Sequence, residues 1–317
     1  MTDKPKRRWF RFSLRTLLVL VVVLAVPLGW VAKERRQSKH EQGIAEELRK
    51  QGITEITFGG PYDVWEPFVS QQKPQNWWRH LSRLVLGERI IVMYLQAPSF
   101  KNLAPLAGLT RLQKLNLDTG QVTDLSPLIG LTQLKFVCVH HAPINDLTPL
   151  ARLKNLELLA LDDTQADDLT PLADLMHLEW LSLNGTLVSD LTPIANLTNL
   201  REVYLNNTPV RSLMPLAKLD NLRELYLNST QVSDLSPLSR LSNLESVNIN
   251  NTHVCNLSPL AELTHLEYLD LRTTEVVELS PLTRLSKMKV LSLEGKHIGV
   301  GQLELLQKAL PNCTIIK

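Results

Sequence analysis

Nine prolines, Pro105, Pro127, Pro149, Pro171, Pro193, Pro215, Pro237, Pro259 and Pro281, recur at intervals of 22 residues. A unit that short cannot bury its own apolar face, so the copies must stack and share one continuous core. The chain is therefore expected to be a solenoid over much of its length.

Within each copy the apolar positions keep their place. The stretch from Asn155 to Leu172, NLELLALDDTQADDLTPL, stands for the rest. Pairs such as Leu115/Leu117, Val137/Val139, Leu159/Leu161, Leu181/Leu183, Val203/Leu205 and Leu225/Leu227 alternate with polar residues, as a half-buried strand requires. A leucine three positions earlier precedes each pair, from Leu112 to Leu266, with Met288 last. This is the pattern of a leucine-rich repeat. A repeat of 22 residues has room for one strand and a single tight turn, not a full return helix. The expected fold is thus an α/β solenoid: a leucine-rich-repeat horseshoe with a concave parallel β-sheet, short 3-10 or helical turns on the convex side, and helical caps at both ends.

The return segment carries its own signals. Ser126, Thr148, Thr170, Thr192, Ser236, Ser258 and Ser280 stand directly before their prolines. That order suggests a hydroxyl at the N-cap and a preset φ at the first helical position, with Ala104 and Met214 as exceptions. Thr164, Thr186, Thr208, Thr230, Thr252 and Thr274 form a second hydroxyl column, read as partners for buried backbone groups at the turn after each strand. At the C-terminal end, Leu303, Leu306 and Leu310 predict an amphipathic capping helix closed by Pro311. At the other end, Trp77, Trp78, Leu81, Leu84 and Val85, stopped by Gly87, predict a capping helix before a strand at Ile90 to Leu95. Ile44 and Leu48 suggest one more short helix, followed by a strand near Ile53 to Phe58. Residues 59–75 read as loop.

A different signal opens the chain. Leu17 to Ala32 is a run of 16 residues without charge, bracketed by Trp9, Phe10, Phe12 and Trp30. As a helix, Phe12 to Trp30 would rise about 27 Å, close to a hydrocarbon core of about 30 Å, with aromatic rings at both interfaces. Lys4, Lys6, Arg7, Arg8, Arg11 and Arg15 against Asp3 favour a cytoplasmic N-terminus. Trp30 stands where a signal peptidase would need a small side chain, which favours an uncleaved signal-anchor. The domain organisation then reads: 1–13, basic cytoplasmic N-terminus; 14–32, transmembrane helix; 33–89, juxtamembrane helix, linker and N-terminal cap; 90–298, leucine-rich repeats; 299–317, C-terminal cap. The expected location is a bacterial inner membrane, single-pass, with the repeats in the periplasm.

The formal net charge of +2 conceals an asymmetry. Residues 1–50 hold 12 Lys or Arg against 5 Asp or Glu, or +7, so residues 51–317 carry +2 − 7 = −5. A mildly acidic solenoid is a poor nucleic-acid binder, because phosphate affinity comes from clustered Lys and Arg. The basic end is read instead as topology signal and lipid contact. Cys138 and Cys255, five repeats apart, are too distant to bond, and Cys313 falls in the closing segment. No phosphate loop, zinc-type cysteine pairing or nucleophile motif is present, and no cofactor is implied.

The segment from Arg7 to Gln37, RRWFRFSLRTLLVLVVVLAVPLGWVAKERRQ, followed by EELRKQG, resembles the N-terminal anchor of many planctomycete membrane proteins that continue into leucine-rich repeats. The repeats, as in DLTPIANLTNLREVYLNNTPV, resemble those of the internalins, and the tail LQKALPNCTII is similar to the closing segment of such bacterial repeat proteins. The resemblance implies fold and membrane attachment but no ligand. It departs from the internalins in placing the anchor at the N-terminus.

Function is sought on the open sheet face, where side chains flanking the buried pairs repeat into columns. Phe136, Trp180, Tyr204 and Tyr226 are expected on adjacent strands facing solvent, with Tyr268 beyond and Asn206 and Asn228 beside them. Aromatics with a polar rim resemble a protein interface, so these seven are the candidate partner-binding residues. Lateral ladder packing is the alternative for the rings. A metal-dependent activity has one foothold: His140 between Asp118 and Asp162, with Cys138 on the same face. An open sheet without a pocket argues against catalysis there. The reading is a membrane-anchored, non-enzymatic module that binds a protein. Two alternatives are an adhesion or structural protein binding envelope polymer or carbohydrate, and a weak metal-dependent activity at His140.

Overall fold

The computed structural model describes residues 14–50, 56–59, 89–96, 100–294 and 298–317, with side chains before residue 100 described only for 31–50 and for Met93. Helix α1 runs over Leu14–Lys50. The short helix expected around Ile44 and Leu48 is therefore the last part of one continuous helix. Its cause is local: from Lys33 to Lys50 the chain is dominated by good helix formers, and Gly43 is the only breaker. The N-terminal capping helix, with Trp77 and Trp78, lies outside the described residues. So do the side chains of residues 14–30, on which the expected membrane span rests; among the described residues no helix is long and apolar enough to cross a membrane.

Contacts divide the chain into two compact units, Met1–Ala45 with Phe58–Arg89, and Glu46–Thr57 with Ile90–Lys317. The second carries the repeats. Strands β1 (Ile56–Gly59) and β2 (Arg89–Gln96) are followed by β3 (Lys114–Asp118), β4 (Phe136–His140), β5 (Leu158–Ala160), β6 (Trp180–Ser182) and β7 (Glu202–Tyr204). Next come β8 (Glu224–Tyr226), β9 (Ser246–Asn248), β10 (Tyr268–Asp270), β11 (Val290–Ser292) and β12 (Thr314–Ile316), and all lie in one sheet in chain order. The pairing from β2 to β11 is parallel and in repeat register, so Leu159 faces Leu181, Leu181 faces Val203 and Val203 faces Leu225. The repeated pairs are buried as the alternation predicts, and so are the residues after each proline, Leu106, Leu128, Leu150, Leu172, Ile194, Leu216, Leu238, Leu260 and Leu282. At the C-terminal end, α2 (Val300–Ala309) buries Leu306, the chain then buries Leu310 and Cys313, and β12 pairs with β11.

The 3-10 turns form where the prolines sit, as at Ser126–Leu128, Thr148–Arg152, Thr170–Leu172 and Ser236–Leu238. The capping expectation needs correction. The hydroxyl residue is itself the first residue of the turn, and its side chain caps nothing there. The cap comes from two residues upstream: Asp124, Asp146, Asp168, Asp190 and Asp234 accept the backbone N–H of Ser126, Thr148, Thr170, Thr192 and Ser236 at 2.7–2.8 Å. Asn102 and Asn256 do the same for Ala104 and Ser258. Because position 102 supplies the acceptor, Ala104 breaks nothing. An Asx side chain fits because it reaches the backbone two residues on without leaving the turn.

After each strand from β4 to β10 the chain reverses through a residue with positive φ: His141 (57°), Asp163 (56°), Gly185 (66°), Asn207 (57°), Ser229 (57°), Asn251 (54°) and Thr273 (52°). After six of these seven, all but His141, the next residue is the threonine of the second column. Thr164, Thr186, Thr208, Thr230, Thr252 and Thr274 donate to Leu161, Leu183, Leu205, Leu227, Ile249 and Leu271 O at 2.6–2.8 Å. The hydroxyls satisfy carbonyls of their own repeat, so they close turns and do not link copies. The links between copies come from elsewhere. Asn155, Asn199, Asn221 and Asn243 donate from Nδ2 to carbonyls of the preceding repeat at 2.7–2.8 Å. His177 and His265 place Nδ1 3.0 Å from the equivalent oxygens, and since a carbonyl only accepts, that nitrogen carries the proton.

Candidate binding face

The pleat that buries Leu181, Val203 and Leu225 turns Trp180, Glu202 and Glu224 outward on one side of them and Tyr204 and Tyr226 on the other, while Ser182, at the equivalent place on β6, is buried. Neighbouring strands bring three rings together. Trp180 and Tyr204 have centroids 5.1 Å apart at 42°, and Tyr204 and Tyr226 stack at 4.6 Å within 6° of parallel. The rings are half-buried because each shields the next. Their hydroxyls are held by acids: Tyr204 donates to Glu202 Oε2 at 2.9 Å and reaches Glu224 Oε2 at 3.3 Å, and Tyr226 donates to Glu224 Oε2 at 3.1 Å. Ser246 Oγ lies 3.4 Å from the Tyr226 hydroxyl. Burial, then the bond to Glu202, then the nearby negative charges push the Tyr204 phenol well above its usual range, so it stays a proton donor.

The remaining expected residues are placed differently. Phe136 lies on β4, and Leu158 of β5 stands between it and Trp180. It is thus outside the stack, with Lys114 Nζ 4.4 Å from its ring centroid. Tyr268 on β10 is separated from Tyr226 by β9 and is 45% exposed. Asn206 and Asn228 belong to a backbone ladder: Asp162 Oδ1 accepts Asn184 N–H at 2.9 Å, Asn184 Oδ1 accepts Asn206 N–H at 2.9 Å, and Asn206 Oδ1 accepts Asn228 N–H at 2.8 Å. Those oxygens hold the strand ends of adjacent repeats in place. A polar column between buried pairs looks like rim in sequence, and only the register shows that it bonds to backbone.

The His140 cluster does not assemble as the columns suggest. His140 Nδ1 is 3.6 Å from Asp162 Oδ2, but Asp118 Oδ1 lies against His141 Nδ1 at 3.3 Å. His141 Nε2 also reaches Asp163 Oδ2 at 3.5 Å, so the residue in the left-handed turn bridges acids two repeats apart. Asp162 is further committed to the Ser182 hydroxyl and Asn184 N–H. Burial and the charge of Asp162 push the Cys138 thiol up to about 11, the opposite of a reactive thiolate. Among the described residues no three His, Cys, Asp or Glu side chains converge as a metal ion would need. Cys138, Cys255 and Cys313 are all free thiols.

An open parallel sheet of repeats with a short 3-10 return defines a leucine-rich-repeat solenoid, a class that typically serves protein–protein interaction and not catalysis. Two stretches, 177–218 and 220–262, match the family model described as Leucine Rich repeats (2 copies). No curated protein is significantly similar to the chain. Among solved structures, an internalin (inlF) of Listeria monocytogenes is 28% identical over 68% of this chain and 70% of its own, with a TM-score of 0.61. Internalin C2 (inlC2) of the same organism is also 28% identical, over 65% of this chain and 81% of its own, at 0.50. The plant peptide hormone receptor RGFR1, in complex with RGF2, shares the fold at 16% identity over 71% of this chain and 38% of its own, at 0.58. The repeats are internalin-like.

Proposed function

We propose that the protein is a membrane-anchored binding module that docks a protein partner on the open sheet face around Trp180, Tyr204 and Tyr226. The observation that carries this reading is the half-exposed aromatic stack on three consecutive strands, bordered by Glu202 and Glu224. Large rings whose motion is already restrained lose little entropy on contact, which is why such residues dominate interface energetics. Support for the anchor is the charge-free run from Leu17 to Ala32 and the basic residues before it, with the N-terminus in the cytoplasm and the repeats in the periplasm. The absence of nucleotide, thiolate or phosphate motifs in the sequence supports binding over catalysis.

The full-length chain in detergent micelles, used as bait against envelope extract, tests this. Trp180→Ala or Tyr204→Ala should each weaken the recovered complex about thirtyfold, which corresponds to about 2 kcal/mol. Retention that survives protease treatment of the extract would point to an envelope polymer instead. Unchanged retention by both variants would overturn the assignment of this face.

A further inference from the structure

Along the open face, charges just ahead of each strand cancel between neighbouring repeats. Lys135 pairs with Glu157 at 2.6 Å, Arg201 with Glu179 at 3.3 Å, Arg223 with Glu245 at 3.3 Å and Lys289 with Glu267 at 2.5 Å. Asp270 is likewise held by Arg272 at 2.6 Å. Glu202 and Glu224 depart from this rule. They are register partners on β7 and β8, and among the described residues neither forms an ion pair. Two carboxylates directly opposite on adjacent strands repel, and a cation bound to either would relieve that repulsion. Tyr204 reaches Oε2 of both acids and Tyr226 donates to Oε2 of Glu224, which leaves Oε1 of Glu224 for a further donor.

Beside Tyr226 the face sinks into a depression of about 360 Å³ bordered by Glu224, Tyr226, Ser246, Asn248, Tyr268 and Asp270. Ser246 and Asn248 on β9 are short, so the face of Tyr226 turned from Tyr204 borders open space, not another ring. We infer that this depression receives an arginine side chain of the partner, its guanidinium on the Glu224 carboxylate that lines it and its flat face along Tyr226. The inference rests on the reading of this face as a protein-docking surface and adds the chemistry of the partner. A guanidinium is the cation that fits best. It is planar, presents donors in a fork that matches a carboxylate, and stacks on aromatic faces. Residues 51–317 carry a net −5, which steers a basic segment toward the face.

The probe is a blocked tripeptide, acetyl-Ala-Arg-Ala-amide, titrated against the full chain in micelles by saturation-transfer NMR, beside the same peptide with citrulline for arginine. Citrulline keeps the shape and loses the charge. The arginine peptide should bind at least fivefold more tightly. Combining Glu202→Gln with Glu224→Gln should bring the two peptides within twofold, and Tyr226→Leu should reduce arginine binding at least threefold. Glu262→Gln, on an exposed turn, should leave the preference in place. Thermal midpoints of the variants show that each is folded. Equal binding of the two peptides, no measurable binding of either, or a preference that survives the double Gln variant would overturn the proposal. If the peptides fail while Trp180→Ala still releases the captured partner, only the arginine assignment falls. If Trp180→Ala and Tyr204→Ala both leave capture intact, the docking face itself falls.

Discussion

Replacing Thr208 by valine removes one hydroxyl from the core without changing side-chain shape. Thr208 is 3% exposed, and its Oγ1 donates to Leu205 O at 2.6 Å. Leu205 is fully buried, so its carbonyl has no access to water once the hydroxyl is gone. Leaving a buried acceptor unpaired costs about 1–3 kcal/mol. Thr186→Val is an internal control, because the carbonyl of Leu183 also receives Thr186 N–H at 3.3 Å and so keeps a partner. Thr208→Val should therefore cost about 2 kcal/mol and Thr186→Val about 1, both within the range for a lost hydrogen bond. In a unit of this size 1 kcal/mol shifts the melting temperature by about 2–4 °C, so the two variants should melt about 2–4 °C apart. Urea titrations followed by far-ultraviolet circular dichroism give the free energies, read only if the slope is unchanged from the parent, since repeat arrays can lose cooperativity. If Thr208→Val costs no more than Thr186→Val, the threonine column does not stabilise the turns by satisfying buried carbonyls, and the argument fails.

The turn caps predict the acid response. Bonds from Thr148, Thr170 and Thr192, and from Ser236, hold the Asp146, Asp168, Asp190 and Asp234 carboxyls below their ordinary value. A depressed folded-state pKa contributes stability above the unfolded value of 3.8, lost as pH falls through the lower folded value. The combined Asp→Asn variant should thus lose less stability than the parent in acid titrations followed by circular dichroism, and parallel curves would refute the caps. Gly185→Ala should destabilise by about 1–2 kcal/mol, since the residue sits at positive φ and an added Cβ would run into Asp163 Oδ1. A chemical melt of the variant within error of the parent would show that the turn relaxes. Leu183→Ala should cost about 2–5 kcal/mol of stability as a buried leucine does, whereas Trp180→Ala, on the open side of the same strand, should leave the urea midpoint nearly unchanged and act on binding. If Trp180→Ala unfolds the chain, the stack is packing and not interface.

The sequence alone determined which side chains form the core, because a strand alternates faces every residue and a repeat of 22 returns each position to the same place in the next copy. From that it followed that Leu181 and Leu183 point in and Trp180 points out, and that the prolines start the return turns. What it could not determine were the partners of polar groups, since these depend on distances between copies and on backbone direction at the turns. At Ser126, Thr148, Thr170, Thr192 and Ser236 the Asp two residues earlier caps the turn, though the hydroxyl is as good a capping residue in isolation; the geometry of a single 3-10 turn favours the reach of an Asp such as Asp168 to Thr170 N–H. His141 takes Asp118 from His140 because a left-handed residue swings its side chain out of the strand alternation. Asn206 and Asn228 resemble a free rim as letters, yet the first gives its oxygen to the backbone of the second at a spacing set by strand pairing. The tertiary structure also decided which rings meet. Trp180, Tyr204 and Tyr226 stack on three consecutive strands while Phe136 stands apart, because Leu158 occupies the intervening strand and only lateral register brings side chains from different repeats within contact.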